Sequence, residues 1–312
     1  MKPLAALSAA ALCLSLAACG DDTGDGGRTE VVASFYPAAF LAERIGGDTV
    51  DVTTLTAPGA EPHDLELTAK QVIAVNEADV VIYLSEFQNA VDVTVKDADR
   101  SPDTTVDIGA DVEPLPVDDD HDHAHDEDGH DHDHDHDHGD EDPHVWLDPA
   151  NMIVAAEAVR DALTEADPDH AEEYMVNAAK LVDELEQLDA DFEKGLAKCE
   201  RREFVTSHAA FGHLARAYDL DQVAISGVDP QSEPSTAALG EITEHVQDEG
   251  ITTVFTERLA SPALAQTVAR ETGATTAVLD PIEGLSDETS DEDYLSLMRQ
   301  NLAALQKANG CS

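Results

Sequence analysis

The sequence predicts an α/β protein of two lobes, each with a parallel sheet of the (β/α)4 type, joined by a single long backbone helix. Two observations support this prediction. Short apolar runs alternate with amphipathic segments of helical length, and the series occurs once in each half of the chain. Between the two series, residues 167–198 carry one long helical pattern. The predicted order is therefore lobe, helix, lobe, with residues 30–166 and 199–312 as the lobes.

The elements of each lobe follow from these apolar runs. In the N-terminal series we predict strands at residues 31–35, 50–56, 80–84 and 104–108, and helices at residues 37–45, 68–76 and 87–96. In the C-terminal series we predict strands at residues 203–207, 222–226, 252–256 and 275–279, and helices at residues 209–218, 235–247, 261–272 and 292–308. A helix between successive strands is typical of a parallel sheet, because parallel strands need a crossover connection.

The connecting helix is predicted from residue spacing. Pro168 suits a first helical turn, and neither Pro nor Gly follows until Gly195. Apolar residues recur three and four apart and form one stripe: Ala171, Tyr174, Met175, Ala178, Leu181, Val182, Leu185, Leu188 and Phe192. A coiled coil is the alternative, but a single helix between two α/β lobes is expected to pack along both. At 1.5 Å per residue the helix would be roughly 45 Å long and would form a stiff link.

The N-terminus has the pattern of a secretory signal. Lys2 precedes an apolar run that ends before Cys19, and the run is too short to span a bilayer with its flanks. The tetrapeptide that ends at Cys19 is similar to a bacterial lipobox. We therefore predict a lipoprotein signal peptide at residues 1–18, lipidation of Cys19, and a flexible tether at residues 19–29. The alternative is an ordinary secretory signal. The predicted location is extracytoplasmic, lipid-anchored to the cell membrane.

The two cysteines that follow the leader suggest a disulfide. Cys199 and Cys311 form an even pair in a chain predicted to fold in an oxidising compartment. A pair of thiolate metal ligands is the competing interpretation. Neither residue has a Cys-x-x-Cys context, so the disulfide is favoured.

The charge balance restricts the partners. The chain has 67 acidic and 17 basic residues, a formal net charge of −50. A protein this acidic is not expected to bind nucleic acid, and it will concentrate cations near its surface. We expect a monomer.

One segment, residues 118–142, contains mainly Asp and His and has no Lys, Arg, Leu, Ile or Val. It cannot bury enough apolar surface to fold, so we predict a disordered loop. Imidazole and carboxylate groups bind zinc, copper and nickel, which predicts auxiliary weak metal sites. An acidic spacer or a cloning tag is the alternative, although a tag would sit at a terminus. The histidines concerned are His121, His123, His125, His130, His132, His134, His136 and His138.

Four further residues follow the ends of predicted strands. They are His63, His144, His208 and Asp280, two from each half of the chain. Any one histidine is more often structural, but open α/β sheets bind ligands at the carboxyl ends of their strands. We therefore predict a metal site made by these four residues in the interdomain cleft.

The same region carries a family resemblance. Residues 34–37, 58–63, 144–149, 204–212 and 279–284 resemble the matching segments of solute-binding proteins from bacterial zinc and manganese ABC importers, of the type called cluster A-I. The resemblance implies two lobes joined by a backbone helix, a metal ion held by His63, His144, His208 and Asp280, and a membrane permease with a cytoplasmic ATPase as partners. A histidine at the third of these positions accompanies zinc in the family, whereas manganese proteins usually have Glu there. His213 departs from the usual aromatic residue, and we expect it to pack rather than to ligate.

Ligand chemistry also favours zinc. Three imidazoles and one carboxylate suit tetrahedral Zn²⁺, whereas manganese prefers more oxygen ligands; copper is expected to bind in vitro. The predicted site is closed, which argues against an enzyme, because a zinc hydrolase needs an open position. Glu61 and Glu257 could orient the ligands or be alternate ligands themselves, but a surface or structural role is favoured for each.

The function predicted from the sequence is therefore capture of Zn²⁺ and its delivery to a membrane ABC importer. The alternatives are manganese delivery within the same family, and a surface metal buffer or sensor that acts through the histidine-rich loop.

Overall fold

The computed structural model describes residues 27–117 and 141–312. Within these ranges, eight strands form two parallel four-stranded sheets, which confirms the predicted fold class. The predicted signal peptide, the lipidation of Cys19 and the eight histidines of the Asp/His segment lie outside the described residues.

The N-terminal sheet has the strand order 2-1-3-4. Its strands are β1 (Thr29–Ala33), β2 (Val50–Thr54), β3 (Val80–Tyr83) and β4 (Thr105–Asp107), and its helices are α1 (Tyr36–Gly46), α2 (Ala69–Glu77) and α3 (Asn89–Asp97). Local sequence explains where the helices begin. Thr68 forms a capping box with Gln71 at the start of α2, which satisfies backbone N–H groups that have no partner in the first turn.

The helix α4 (Pro149–Ala166) is an addition that the sequence prediction lacks. Asp148 caps it, since its Oδ1 accepts from the backbone N of Ala150 at 2.9 Å, and Pro149 occupies the first turn. One face of α4 is buried and consists largely of alanine and aliphatic residues: Met152, Ala155, Ala156, Val159, Ala162 and Leu163.

The predicted connecting helix is present as α5 (Ala171–Leu196), preceded by a single 3₁₀ turn (Pro168–His170). Its buried stripe includes Tyr174, Leu181 and Phe192. The helix packs against α1 and α4 of the N-terminal lobe and against the last helix of the C-terminal lobe. It therefore contacts both lobes.

The C-terminal sheet repeats the arrangement, in the strand order 6-5-7-8. Its strands are β5 (Glu203–Thr206), β6 (Asp221–Ala224), β7 (Thr253–Thr256) and β8 (Thr275–Val278), and its helices are α6 (Gly212–Ala217), α7 (Thr236–Asp248), α8 (Ala263–Thr272) and α9 (Tyr294–Asn309). The disulfide is confirmed, because Cys199 and Cys311 are bonded. It ties the segment after α5 to the chain end after α9.

A shared core joins the two lobes beside the cleft. Trp146 is fully buried, and its indole N–H donates to the carbonyl of Pro281 at 2.7 Å. The hydroxyl of Tyr294 donates in turn to the carbonyl of Trp146 at 2.6 Å. None of the helices in the described ranges combines the length and apolar character that a membrane-spanning helix requires.

Candidate metal centre

The three predicted histidines meet in the cleft between the lobes, together with a glutamate. The ligand atoms of His63, His144, His208 and Glu283 all lie within 4.8 Å of one another. Glu283 Oε1 stands 3.3 Å from the Nε2 atom of His63, and 3.5 Å from the Nε2 atoms of His144 and His208. Three imidazole nitrogens and one carboxylate oxygen therefore converge on one point.

The sheets explain this convergence. His63 lies in the loop after β2, and His208 lies two residues after the end of β5. Glu283 lies in the loop after β8, while His144 precedes a short 3₁₀ turn that leads into α4. Carboxyl ends of parallel strands meet at one edge of a sheet, and the two edges face each other across the cleft. This placement agrees with the strand-end argument made from the sequence.

Asp142 orients the imidazole of His144. The ring Nδ1 lies 2.7 Å from Asp142 Oδ1, which also accepts the backbone N–H of His144 at 3.0 Å. With Nδ1 donating to the carboxylate, Nε2 is left to face the centre of the site. Burial alone would lower the pKa of His144, but the charges and hydrogen bonds of Asp142 and Glu283 outweigh it and raise the pKa.

Glu257 has the same role for His208. Its Oε2 lies 2.7 Å from the ring Nδ1, and its Oε1 accepts the backbone N–H at 3.2 Å. Burial lowers the pKa of His208, but Glu257 and Glu283 raise it by more than burial lowers it. The pKa is therefore about 10. The sequence left the role of Glu257 open between support of the site and a surface position. The carboxylate is buried and is bonded to the ring and the backbone of His208, one of the four grouped residues, so it belongs to the site and not to the surface.

Glu61 lies at the edge of the group. Its Oε1 accepts the backbone N–H of His63 at 3.0 Å and is 4.0 Å from His63 Nε2. The ring of Phe87 also makes an edge contact with His63, with a centroid distance of 4.7 Å. The histidine thus contacts both a carboxylate and an aromatic ring.

Asp280, the carboxylate predicted from the sequence, is not part of the four-residue group. Its Oδ1 accepts the backbone N–H of Ile282 at 2.9 Å, and its Oδ2 lies 3.0 Å from Nε of Arg258. Both carboxylate oxygens are therefore engaged away from the histidines. Glu283 takes the place expected for Asp280, and this corrects the sequence prediction.

Glu283 is nearly fully buried and is surrounded by the three imidazoles. Burial would raise its pKa, but hydrogen bonds from His144, His208 and His63 hold the pKa well below the usual value for a glutamate. The side chain is consequently an anionic oxygen donor at neutral pH. Glu283 could have been considered from the sequence, because residues 279–284, the segment with the family resemblance that includes Asp280, also contain Glu283.

His213 packs beside the site and does not join it, as expected. Its Nε2 donates to the carbonyl of Asp142 at 3.0 Å, and the side chain is fully buried. This bond fastens helix α6 of the C-terminal lobe to the segment that orients His144.

The end of the predicted disordered loop also needs correction. Glu141 forms an antiparallel bridge with Pro116, and the backbone N of Asp142 donates to the carbonyl of Leu115 at 2.8 Å. Residues 141–142 therefore belong to the ordered framework and not to the loop, for which residues 118–142 were predicted.

The donor set fits one class of ion. Three imidazole nitrogens and one carboxylate match the ligands and the coordination number of tetrahedral zinc. The two-lobed fold with this group in its cleft defines a metal-binding protein.

Comparison with known proteins agrees with that class. Residues 31–308 match the family of ZnuA, described as the periplasmic component A of the zinc-uptake complex. The chain belongs to this family, which confirms the resemblance found in the sequence.

Individual relatives are similar to this chain over most of its length. The zinc-binding lipoprotein AdcA of Streptococcus pneumoniae strain R6 is 38% identical over 310 residues, which is 98% of this chain but only 61% of the relative. The high-affinity zinc uptake system protein ZnuA of Bacillus subtilis strain 168 is 35% identical over 305 residues, 95% of this chain and 94% of that protein. The crystal structure of the Zn(II)-bound ZnuA-like domain of the pneumococcal AdcA superposes with a TM-score of 0.75 at 36% identity, covering 91% of this chain and 99% of the domain.

Proposed function

We propose that this protein captures Zn²⁺ outside the cytoplasm and delivers it to a membrane ABC importer. The observation that carries the proposal is the convergence of three imidazole nitrogens and one carboxylate oxygen in the cleft. Relatives named for zinc binding and zinc uptake support zinc as the cargo. Manganese is less well matched, because the group offers a single oxygen ligand.

The proposed ligands are His63, His144, His208 and Glu283. Asp142 and Glu257 hold the imidazoles of His144 and His208 by their Nδ1 atoms, so that the Nε2 atoms face the ion. Carboxylates in this position fix the ring orientation and make the imidazole a better donor. The protein does not need a catalytic role to explain the group, because four protein ligands complete a tetrahedral shell, whereas a catalytic zinc keeps a position open.

The remaining features of the proposal rest on the sequence. The signal at residues 1–18 would direct export and be removed, and the lipid on Cys19 would hold the mature protein at the outer face of the cell membrane, as a monomer, beside a permease with its cytoplasmic ATPase. The histidines of residues 121–138 would provide weaker auxiliary sites. The three-part division into lobe, connecting helix and lobe, at residues 30–166, 167–198 and 199–312, is part of the same proposal.

The test is metal analysis and zinc titration against a chelating indicator. The wild-type protein should bind one zinc tightly. His208→Ala should lower the affinity for that zinc by at least about 100-fold. Loss of a residue that only orients a ligand lowers metal affinity roughly 10–100-fold, and loss of a ligand should cost more. His245→Ala is the matched control, because this imidazole pairs with Glu203 on the surface, outside the four-residue group. Wild-type affinity in His208→Ala would refute the assignment.

Delivery requires a separate measurement. Deletion of the gene should reduce uptake of radioactive zinc into zinc-starved cells, and His208→Ala should fail to restore it. A loss of manganese uptake with intact zinc uptake would favour manganese as the cargo. Normal uptake of both metals would favour a surface buffer or sensor.

A further inference from the structure

The loop after β8 carries two buried carboxylates, but only Glu283 joins the histidines. Asp280 lies two residues after the end of β8 and is 5% exposed. A buried carboxylate that does not serve the ion needs another reason to be there, because burial of a charge without partners is unfavourable. The contacts of Asp280 provide that reason.

The polar groups of Asp280 contact either the turn that leads to Glu283 or two residues beside that turn, Arg258 and Asn301. The backbone N–H donates to Asn301 Oδ1 at 2.9 Å, and the backbone carbonyl accepts from Asn301 Nδ2 at 2.7 Å. The side-chain Oδ1 accepts from the backbone N of Ile282, while Oδ2 faces Nε of Arg258 at 3.0 Å. Arg258 reaches on to Glu288 with Nη1 at 3.0 Å.

Ile282 explains why the turn needs such support. Its φ is +57°, in the left-handed region that a β-branched residue rarely adopts. A residue held there costs on the order of 1–3 kcal/mol, so the conformation persists only when its surroundings enforce it. The hydrogen bond from the N–H of Ile282 to Asp280 is one such constraint, and burial of the isoleucine side chain in the core is another.

The conformation of Ile282 determines where the next residue points. Glu283 follows it directly, and its Oε1 lies within 3.5 Å of three imidazole Nε2 atoms. If Ile282 relaxed to an ordinary φ, the chain would leave the turn in another direction and the carboxylate would move away from the histidines. The turn is also close to the opposite lobe, where Gly59 N donates to the carbonyl of Leu285 at 2.7 Å.

We propose that Asp280 is a positioning residue for zinc binding: with Arg258 and Asn301 it holds the turn that aims Glu283 at the ion, and it is not a ligand. This inference rests on the proposed function and goes one step beyond it. It also explains how the site keeps a single carboxylate. Arg258 engages the second one, which would otherwise add an oxygen ligand of the kind that manganese prefers.

Two substitutions at position 280 separate positioning from ligation. Asp280→Ala removes the acceptor for the N–H of Ile282 and should weaken zinc roughly 10–100-fold, the range for loss of a residue that orients a ligand. Asp280→Asn retains an amide oxygen for that N–H but loses the carboxylate, and it should recover most of the affinity lost in Asp280→Ala. Asp287→Asn is the control, an exposed acidic residue of the same loop, and it should bind zinc as the wild type does.

A double-mutant cycle with Glu283→Ala completes the test. If Asp280 acts through Glu283, Asp280→Ala should change zinc affinity by less than about twofold once Glu283 is absent. Circular dichroism checks that each variant is folded, and Asp280→Ser replaces Asp280→Ala in the cycle if the alanine variant is not.

Three results would overturn the inference: wild-type affinity in Asp280→Ala, equal losses in the asparagine and alanine variants, or additive losses in the cycle. Equal losses would indicate that the negative charge of Asp280, and not its acceptor for the N–H of Ile282, is what zinc binding requires. Additive losses would indicate that Asp280 contributes independently of Glu283. These outcomes differ from failure of the proposed function, in which the wild-type protein itself would lack a tight zinc site.

Discussion

Zinc affinity should increase steeply as the pH rises from 7 to 8. An imidazole must be neutral to bind a metal ion, so any proton on Nε2 has to leave when zinc binds. The pKa of His208 is about 10: burial lowers it, but Glu257 and Glu283 more than compensate. At neutral pH this ring is therefore protonated before zinc arrives, and the ion must displace its proton.

The number of protons sets the size of the effect. His208 contributes one, and His144 contributes up to one more, since its pKa is also raised, by Asp142 and Glu283 against burial. Glu283 contributes none, because its pKa is held well below that of an ordinary glutamate. Each proton released changes the dissociation constant about tenfold per pH unit. Binding should thus become about 10–100-fold tighter over that unit, and it should weaken as the pH falls.

Calorimetry in two buffers of different ionisation enthalpy counts the released protons, and zinc titrations at pH 7.0, 7.5 and 8.0, chosen as about half-unit steps, give the slope. Glu257→Gln removes one of the two carboxylates that raise the pKa of His208 and should reduce the count. Glu203→Gln is the control, because it removes the carboxylate beside the surface residue His245. A wild-type dissociation constant equal at pH 7 and 8 would refute the reasoning, and so would an unchanged proton count in Glu257→Gln.

Three further outcomes concern stability and the Asp/His segment. Zinc at a hundredfold excess over its dissociation constant should add about 2.7 kcal/mol to the free energy of unfolding, visible as a higher melting temperature that His208→Ala lacks. Loss of the disulfide in Cys199→Ser should lower the denaturant midpoint, since the bond spans 112 residues of chain and loops of this length contribute about 4.7 kcal/mol in the chain-entropy model. Deletion of residues 118–140 should leave the tight site intact in a zinc titration, whereas deletion through residue 142 should weaken it about 10–100-fold because Asp142 orients His144. Loss of tight binding in the shorter deletion would place the segment in the primary site.

The sequence predicted most of the fold because the apolar runs of each lobe are clear. The strand predicted at residues 80–84 is found at Val80–Tyr83, and the helix predicted at residues 235–247 is found at Thr236–Asp248. The helix α4 was missed although Asp148 and Pro149 form a good start signal. Its buried face contains several alanines, which give weak contrast between the apolar and polar sides of a helix.

The site was predictable to the level of the loop and not of the side chain. Parallel strands fix which loops meet, and this rule identified His63, His144 and His208 correctly as neighbours. It could not decide between Asp280 and Glu283, because that choice depends on the left-handed φ of Ile282. Such a conformation depends on surrounding contacts rather than on local preference, so a rule based on spacing does not foresee it.

Charge balance explains how a buried group of this kind can exist both with and without its ion. Three carboxylates, Asp142, Glu257 and Glu283, surround the imidazoles, and each is at most 8% exposed. Without zinc, protons on the imidazoles of His144 and His208 offset part of this negative charge, since both pKa values are raised. Zn²⁺ displaces one proton from His208, and it displaces a second to the extent that His144 is protonated. The net charge of the buried group therefore changes by less than the charge of the ion, which reduces the cost of adding charge to a dry interior. The carboxylates that raise these pKa values thus serve both states: they hold protons in the cleft when it is empty of metal and orient the ring nitrogens when zinc replaces them.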